Sequence, residues 1–239
     1  MERVLISGGS RGIGAALVRA FAEKGHAVAF LYQSSTDRAA ALAAETGATA
    51  IRCNIADPNA VREAVQSART ALGGGITVLV NNAGVSHIGL SRDMKDEEWR
   101  ALLDTNLSGA FYLAREVQED MIGAQYGRIV NIGSMWGKTG ASCEVAYSAS
   151  KAGMRGLTMA LAKELGPSGI TVNCVEPGLI DTEMNKALDA DARAALIEET
   201  PLCRIGSPDD VATAVLFFAS SATSFITGQI LGVDGGFAV

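Results

Sequence analysis

Three side chains in the middle of the sequence have the types and spacing that proton transfer requires. Tyr147 and Lys151 are four residues apart, which places them on one face of a helix. A free tyrosine has a pKa of about 10, so donating a proton near neutrality calls for a shift of about three units, or about 4 kcal/mol. One ammonium about 4 Å away supplies a similar energy at a moderate effective dielectric. Ser134 could hold a carbonyl group while hydride arrives from a cofactor.

This spacing is a weak signal by itself, because a solvated lysine beside a half-buried ring is common on helices. The elements around the three residues must therefore bring them together. Short apolar runs typical of buried strands are predicted at Val4–Ser7, Ala27–Tyr32, Ala48–Cys53, Ile76–Asn81, Arg128–Gly133, Ile170–Glu176 and Gln229–Val233. Helical spacing lies between them, at Ile13–Lys24, Asp37–Thr46, Asn59–Leu72, Asp96–Ile122, Ala146–Leu165 and Pro208–Ala219.

Strict alternation of strand and helix predicts an α/β fold, a doubly wound, seven-stranded parallel sheet with helices on both faces. The sequence contains no internal repeat or Pro/Ser-rich linker, so residues 1–239 are expected to form a single catalytic domain. Ligands on such sheets bind beyond the carboxyl ends of the strands, where the winding direction reverses.

A glycine-rich segment from Ser7 to Ala15 follows the first strand directly. Glycines there allow a tight turn and a close approach by a pyrophosphate, and the next helix points its N-terminal amides at the phosphates. A turn that binds nothing is the alternative. Gly8–Gly12 also fits the nucleophile elbow of hydrolases, but both histidines, His26 and His87, come too early for a triad. No Gly-Lys-Ser/Thr ends the segment, which argues against a nucleoside triphosphatase.

The end of the second strand bears on the choice of cofactor. An acidic residue there would bind the ribose 2′-hydroxyl of NAD. The sequence instead reads Tyr32-Gln33-Ser34-Ser35, with Arg38 shortly after and Arg11 in the glycine segment. Hydroxyl and guanidinium groups suit a 2′-phosphate, so NADP(H) is favoured, although ordinary loop polarity is an alternative.

The composition excludes several other classes of function. The net charge is −6 and Lys and Arg form no runs, which argues against nucleic-acid binding. No apolar stretch approaches the length of a membrane span, and strand-like residues begin at Arg3, so a cytoplasmic protein is expected. Four cysteines, without C-x-x-C spacing, and two histidines make a metal site improbable.

Several motifs together resemble the short-chain dehydrogenase/reductase family over essentially the whole chain. Ser7–Gly14 is similar to the family's T-G-x-x-x-G-I-G, and Asn81–Gly84 to its N-N-A-G. Asn106, Ser134 and Tyr147–Lys151 match its active-site set, and Pro177–Thr182 its P-G-x-I-x-T segment. The resemblance implies a Rossmann-type domain that reduces carbonyl groups.

The resemblance also implies roles for individual residues. Tyr147 would protonate the carbonyl oxygen, Lys151 would hold the nicotinamide ribose and lower the tyrosine pKa, Ser134 would orient the substrate, and Asn106 would anchor a proton-relaying water. The implied cofactor-binding residues are Gly8, Ser10, Arg11, Gly12, Ile13, Gly14, Ser34, Asn54, Ile55, Asn82, Ala83, Gly84, Tyr147, Lys151, Pro177, Gly178, Ile180 and Thr182.

Within the family, the chain is most similar to 3-oxoacyl-[acyl-carrier-protein] reductases of fatty acid biosynthesis. The segments Met94–Trp99 and Gly127–Ser134 and the final Gly235-Gly236 carry this similarity. Arg128 matches a basic residue that such enzymes direct towards the acidic carrier. Ser168 stands where a second basic residue is expected, which argues against carrier docking.

The loop Met135–Val145 also resembles that of reductases acting on the 5-aminopentanone group of elongation factor P, and Glu144 would then attract an amine. Glu144 as a solvated carboxylate and Trp136 as a packing ring are the alternatives. Residues 181–206 are expected to form a helical lid or a surface insertion. Another small-molecule ketone and a non-catalytic NADP-binding protein remain open. The resemblance implies a homotetramer, for which the apolar segment Ile226–Val239 would suit an interface.

Overall fold

The computed structural model describes residues 1–187 and 190–239, and seven parallel strands form one sheet in the order β3-β2-β1-β4-β5-β6-β7. The strands are β1 Arg3–Ser7, β2 Ala27–Tyr32, β3 Thr49–Arg52, β4 Val78–Asn81, β5 Gly127–Ile132, β6 Ile170–Pro177 and β7 Ile230–Val233. The predicted doubly wound sheet is confirmed. β2 has the predicted bounds, and the bounds of the other strands differ from the predicted ones by one or two residues, as is usual at element ends.

The helices are α1 Gly12–Glu23, α2 Thr36–Thr46, α3 Pro58–Leu72, α4 Asp96–Leu103, α5 Gly109–Ala124, α6 Trp136–Thr139, α7 Val145–Leu165, α8 Ala190–Glu199 and α9 Pro208–Ala219. Pro58 and Pro208 lie in the first turns of α3 and α9, as predicted. Gly47 ends α2 with a φ of 72°, which a residue without a Cβ adopts freely.

Alternate residues along each strand bury opposite faces of the sheet. In β1, Val4 and Ile6 pack against α1, α2 and α9, where Phe21 and Phe218 contribute rings. Leu5 points the other way, into a second core formed with α3, α5 and α7. Helices thus cover both faces of the sheet, and in such folds ligands bind beyond the carboxyl ends of the strands.

One predicted helix differs in its interior from the expectation. The segment predicted as Asp96–Ile122 is helical from Asp96 to Ala124, but Asp104–Ser108 forms a π turn between α4 and α5. A π turn inserts one extra residue into the helical ladder and is frequent at functional sites. Asn106 lies within this turn and is 1% exposed.

A chain of buried amides fixes α7 against the sheet. The side-chain amide of Asn81 on β4 donates to Asn131 Oδ1 on β5 at 2.9 Å, and Asn131 Nδ2 donates to Thr158 Oγ1 on α7 at 2.8 Å. Thr158 in turn donates to the carbonyl of Met154 at 2.7 Å. Buried polar groups bonded in this way hold α7 in a defined register on β5.

Across the described part of the chain, no helix combines the length and apolar character that crossing a membrane requires. The same residues contain no group of three or more His, Cys, Asp or Glu side chains arranged to hold a metal ion. The four cysteines, all of which the structure describes, are free thiols, and Cys53 and Cys174 are buried.

Candidate active site

The sheet changes winding direction between β1 and β4, and a cavity of about 360 Å³ lies beyond the carboxyl ends of these strands. Most residues of the predicted site lie around it. The predicted residues that line the cavity are Gly8, Ser10, Arg11, Gly12, Ile13, Gly14, Ser34, Ile55, Asn82, Ala83, Gly84, Ser134, Tyr147, Lys151, Pro177, Gly178, Ile180 and Thr182. Asn54 and Asn106 are not among the lining residues.

The glycine segment is locked to the loop after β4. The hydroxyl oxygen of Ser7 accepts hydrogen bonds from the backbone N–H groups of Asn82 (3.0 Å) and Ala83 (3.1 Å). The Asn82 amide donates to the carbonyls of Ser7 and Gly8, both at 3.0 Å. Gly8 has a φ of 68°, and a Cβ there would lie 2.7 Å from Ala83 Cα. Asn82 therefore shapes the cavity floor as well as lining it.

The amino end of α1 has the features of a phosphate-binding turn. No side chain among the described residues caps the helix at Arg11, and its first turn contains no acidic residue. Unpaired N–H groups and the positive end of the helix dipole attract an anion. The glycines, the cavity and this helix end together fit the pyrophosphate of a dinucleotide.

Lys151 lies at the other end of the cavity and is almost completely buried, with 3% of the residue exposed. Its ammonium donates a hydrogen bond to the carbonyl of Ile132 at 2.8 Å and lies 5.6 Å from the centroid of the Tyr147 ring. Burial disfavours the charged form and lowers the pKa of Lys151 to about 8.

Tyr147 lies one helical turn before Lys151, with Ser134 as its hydrogen-bond partner. Burial raises the pKa of Tyr147 to about 12, the Ser134 hydrogen bond lowers it, and the charge of Glu144 raises it. The expected lowering of this pKa by Lys151 is therefore not seen, and burial of the ring is the largest cause of the shift. The phenol is protonated at neutral pH and can donate its proton.

Asn106 fixes the backbone beside the catalytic end instead of lining the cavity. Its Oδ1 accepts from the Val85 N–H at 2.8 Å, and its Nδ2 donates to the Val85 carbonyl at 2.9 Å and to Ser150 Oγ at 3.1 Å. Ser150 donates to the Tyr147 carbonyl at 2.7 Å. A Cβ at Gly84 would lie 3.4 Å from Asn106 Oδ1 and 3.6 Å from Lys151 Nζ, so this glycine keeps the passage between them open.

The end of the cavity near β2 is polar and accessible to solvent. Gln33, Ser34 and Ser35 line it, together with Arg11. Arg38, on the first turn of α2, reaches the same region through Glu183, whose carboxylate it contacts at 2.5 Å. Residues 33–35 supply hydroxyls and an amide, as the sequence indicated, and no carboxylate.

One expectation stays a prediction and another needs correction. Asn54 is exposed and does not line the cavity, and its Oδ1 accepts from the backbone N–H of Ala56 at 3.2 Å in an Asx turn, so its contact with a cofactor stays a prediction. Arg128 is 2% exposed, and its guanidinium donates to the carbonyls of Gly127 (2.8 Å) and Ser220 (3.3 Å). It also stacks on the Tyr126 ring at 4.4 Å, so it is not presented to a carrier protein.

The loop after β5 forms the substrate side of the cavity. Trp136 and Glu144 both line it, and burial raises the pKa of Glu144. The Trp136 ring also packs edge-on against Phe237, with centroids 5.5 Å apart, so the ring has a packing role as well as a cavity face. The backbone N–H of Trp136 donates to Ser134 Oγ at 3.2 Å.

The expected lid at 181–206 contains a 3₁₀ turn, Glu183–Ala187, and helix α8, while residues 188–189 lie outside the described residues. The segment lines the cavity through Thr182, Glu183, Met184, Asn185 and Leu196. Sequence reasoning missed Glu183, Met184 and Val85. The adjacent Thr182, already assigned to the cofactor, is the signal that could have indicated Glu183.

Comparison with known proteins agrees with this geometry. The family model described as enoyl-(acyl carrier protein) reductase, a short-chain dehydrogenase model, matches residues 8–238. The 3-oxoacyl-[acyl-carrier-protein] reductase FabG of Escherichia coli K12 is 39% identical over 234 residues, which cover 97% of this chain and 95% of the relative. FabG of Staphylococcus epidermidis is 40% identical over 240 residues, covering 98% of each.

Solved structures agree in fold. A mutant short-chain dehydrogenase/reductase from Serratia marcescens matches with a TM-score of 0.92 and 37% identity, over 99% of this chain and 97% of the other. A putative gluconate dehydrogenase from Agrobacterium tumefaciens has a TM-score of 0.94 and 31% identity, over 98% and 95%. With its cavity at the sheet edge and Ser134, Tyr147 and Lys151 at one end of it, the chain belongs to the short-chain dehydrogenase/reductase family and is an NAD(P)-dependent oxidoreductase.

Proposed function

We propose that this protein reduces a ketone to a secondary alcohol with NADPH, and that the ketone is a 3-oxoacyl thioester. The observation that carries the proposal is the layout of the cavity. Ser134, Tyr147 and Lys151 converge at one end, and hydroxyl and guanidinium groups lie at the other. A dinucleotide whose pyrophosphate rests on α1 would extend between these two ends.

The proposed reaction uses each side chain in the state that its surroundings favour. Tyr147, with its pKa raised to about 12, is a phenol at neutral pH and gives its proton to the carbonyl oxygen of the substrate. Hydride for the carbonyl carbon would come from a reduced nicotinamide bound in the cavity. Ser134 donates a hydrogen bond to the same oxygen, and the two steps together convert C=O to CH–OH.

Lys151 supports this proton donation by its charge. With a pKa of about 8, most of its amine is protonated at neutral pH, although it is buried. The ammonium stabilises negative charge that develops on the Tyr147 oxygen as the proton leaves. We assign Asn106 a positioning role, because it holds Val85 and Ser150 and does not itself line the cavity.

The preference for NADPH is supported by the accessible end of the cavity. Ser34 and Ser35 follow β2 where an NAD-selective site would place a carboxylate, and Arg11 lines the same cavity. A guanidinium binds a phosphate with paired, charge-assisted hydrogen bonds, while a ribose 2′-hydroxyl gains little from it.

The 3-oxoacyl part of the proposal is supported by the relatives, of which several are named 3-oxoacyl-[acyl-carrier-protein] reductase at 38–40% identity. Two basic residues were expected to face a carrier protein, but Arg128 is buried and the second position is the uncharged Ser168. We therefore propose that the site recognises the acyl thioester itself, whichever carrier bears it. Assembly as a homotetramer and a cytoplasmic location stay predictions.

The test is NADPH oxidation, followed at 340 nm, by the purified protein with acetoacetyl-CoA and separately with NADH as the reductant. We expect turnover that prefers NADPH, and a loss of at least about 100-fold in kcat in Tyr147→Phe, the lower range for removing a general acid. Tyr112→Phe is the matched control, because Tyr112 stacks on Arg115 away from the cavity.

Two outcomes separate the parts of this proposal. Faster turnover with NADH than with NADPH would remove the cofactor preference. Tight NADPH binding without reduction of any acyl thioester would remove the 3-oxoacyl substrate and leave the oxidoreductase assignment in place.

A further inference from the structure

Glu183 places a negative charge at the accessible end of the cavity. The proposed cofactor, NADP(H), would bring a second negative charge there, on its 2′-phosphate. Its carboxylate Oε2 lies 2.5 Å from Arg38 Nη1 and 3.7 Å from Arg11 Nη1. One carboxylate thus joins the glycine segment and α2 from a third element, the segment that follows β6. Glu183 lines the cavity together with Arg11 and Ser34.

The backbone of this segment is held close to the glycine loop. A Cβ at Gly12 would lie 3.4 Å from Thr182 Cγ2, so Thr182 packs against the loop. On its other side, the Asn185 amide donates to the Ile180 carbonyl at 2.7 Å. Contacts of the residues on both sides of Glu183 therefore fix its backbone, and this backbone places the carboxylate next to the arginines.

We infer that Glu183 is a specificity-determining residue, which competes with the 2′-phosphate of NADP(H) for Arg11 and Arg38. This inference rests on the proposed use of NADP(H). Two guanidiniums alone would offer two positive charges to the phosphate, and Glu183 cancels one of them. Binding of NADP(H) must separate the carboxylate from the arginines, whereas NAD(H), which has no 2′-phosphate, leaves the three groups paired.

The experiment measures the binding of NADPH and of NADH by the increase in nicotinamide fluorescence, without substrate. The two ligands differ only in the 2′-phosphate. In Glu183→Gln we expect NADPH to bind about fivefold more tightly, as removal of one exposed like charge a few ångströms away implies, and NADH to change less than about twofold. The gain in NADPH affinity in Glu183→Gln should become smaller as the salt concentration rises.

Two further variants make the result specific. Asp181→Asn removes the same charge two residues earlier, where the carboxylate pairs with Arg193 at 3.2 Å, and it should leave the Kd of both ligands unchanged. In an Arg38→Gln background, Glu183→Gln should tighten NADPH binding less than it does with Arg38 present, because the nearer contested partner is gone while Arg11 and the like charge remain.

The inference is overturned if Glu183→Gln leaves NADPH binding unchanged or weakens it, or if Asp181→Asn tightens it equally. If the unaltered protein already prefers NADPH and Glu183→Gln has no effect, only the inference fails. If the unaltered protein binds NADH as tightly as NADPH, the proposed cofactor preference fails as well, and the inference with it.

Discussion

The two ends of the cavity hold their charges in opposite ways. At the catalytic end, the ammonium of Lys151 is buried and bonded to a backbone carbonyl, and its pKa falls to about 8. At the accessible end, the side chains of Arg11 and Arg38 are 56% and 54% exposed. Both ends are cationic, but water screens the charges of only one of them.

This difference separates what each end can contribute. A buried charge is unfavourable for folding, because its desolvation is not fully offset, yet it acts strongly on a neighbouring group in a low dielectric. An exposed charge contributes little to stability and weakens with salt, so it adjusts affinity by small factors. We therefore expect changes at the catalytic end to alter rate and stability greatly, and changes at the accessible end to alter cofactor preference modestly.

The largest effect is expected for Lys151→Met, which removes the buried charge while filling similar space. The kcat should fall by at least about 100-fold, because the proton donor loses its electrostatic support. The protein should nevertheless become more stable at pH 7, by about 1 to 3 kcal/mol. A pKa lowered from 10.5 to about 8 is equivalent to about 3 kcal/mol, from which the lost hydrogen bond to Ile132 is subtracted.

Urea unfolding of both proteins at several pH values measures this gain. Because the folded-state pKa of Lys151 lies below its unfolded value, the unfolded chain binds more protons between about pH 8 and pH 10.5. The stability of the unaltered protein should therefore rise through this window and the advantage of Lys151→Met should shrink. Lys163→Met, at an exposed position of the same helix, is the control. A destabilised Lys151→Met protein would contradict the assignment of a costly buried charge.

A smaller effect is expected in the pH dependence of reduction. The kcat/KM should be level near neutrality and fall about tenfold per pH unit above about 8, as Lys151 loses its proton. Tyr147, with its pKa near 12, should not titrate in this range. Binding of 2′,5′-ADP, a fragment that reaches only the accessible end, should stay level over the same range. A kcat/KM that is constant to pH 10 would show that the charge of Lys151 does not govern the rate.

Much of the fold and of the catalytic end of the cavity could be predicted from the sequence. The alternation of apolar runs and helical spacing predicts the sheet, because the side-chain periods of strands and helices differ. The four-residue spacing of Tyr147 and Lys151 places both on one face of α7, and the structure has them there. The residues after β1 and β4 meet because carboxyl ends of neighbouring parallel strands share an edge.

Other features depend on contacts that local patterns do not contain. The π turn at Asp104–Ser108 adds one residue to a single turn of an otherwise helical segment, which the pattern of apolar residues does not mark, so the sequence predicted one regular helix. Arg128 is buried because carbonyls of distant residues, Gly169 and Ser220, accept from its guanidinium. Asn54 turns to the backbone of Ala56, a local alternative that a family pattern does not exclude. The contact of Glu183 with Arg38 joins residues 145 positions apart.

The smallest effect is expected for Ser34→Ala, which tests the accessible end without touching a charge. Ser34 is exposed and lines the cavity, so its hydroxyl can donate one hydrogen bond to a 2′-phosphate. Loss of one solvent-exposed hydrogen bond of about 0.5 to 1 kcal/mol predicts a Kd for NADPH about two- to fivefold higher. The Kd for NADH is the internal control and should stay within about twofold. An equal change for both ligands would place Ser34 against the adenosine and not the phosphate. A loss of 100-fold or more would mean that this end is as desolvated in the complex as the catalytic end, because only a hydrogen bond shielded from water contributes so much.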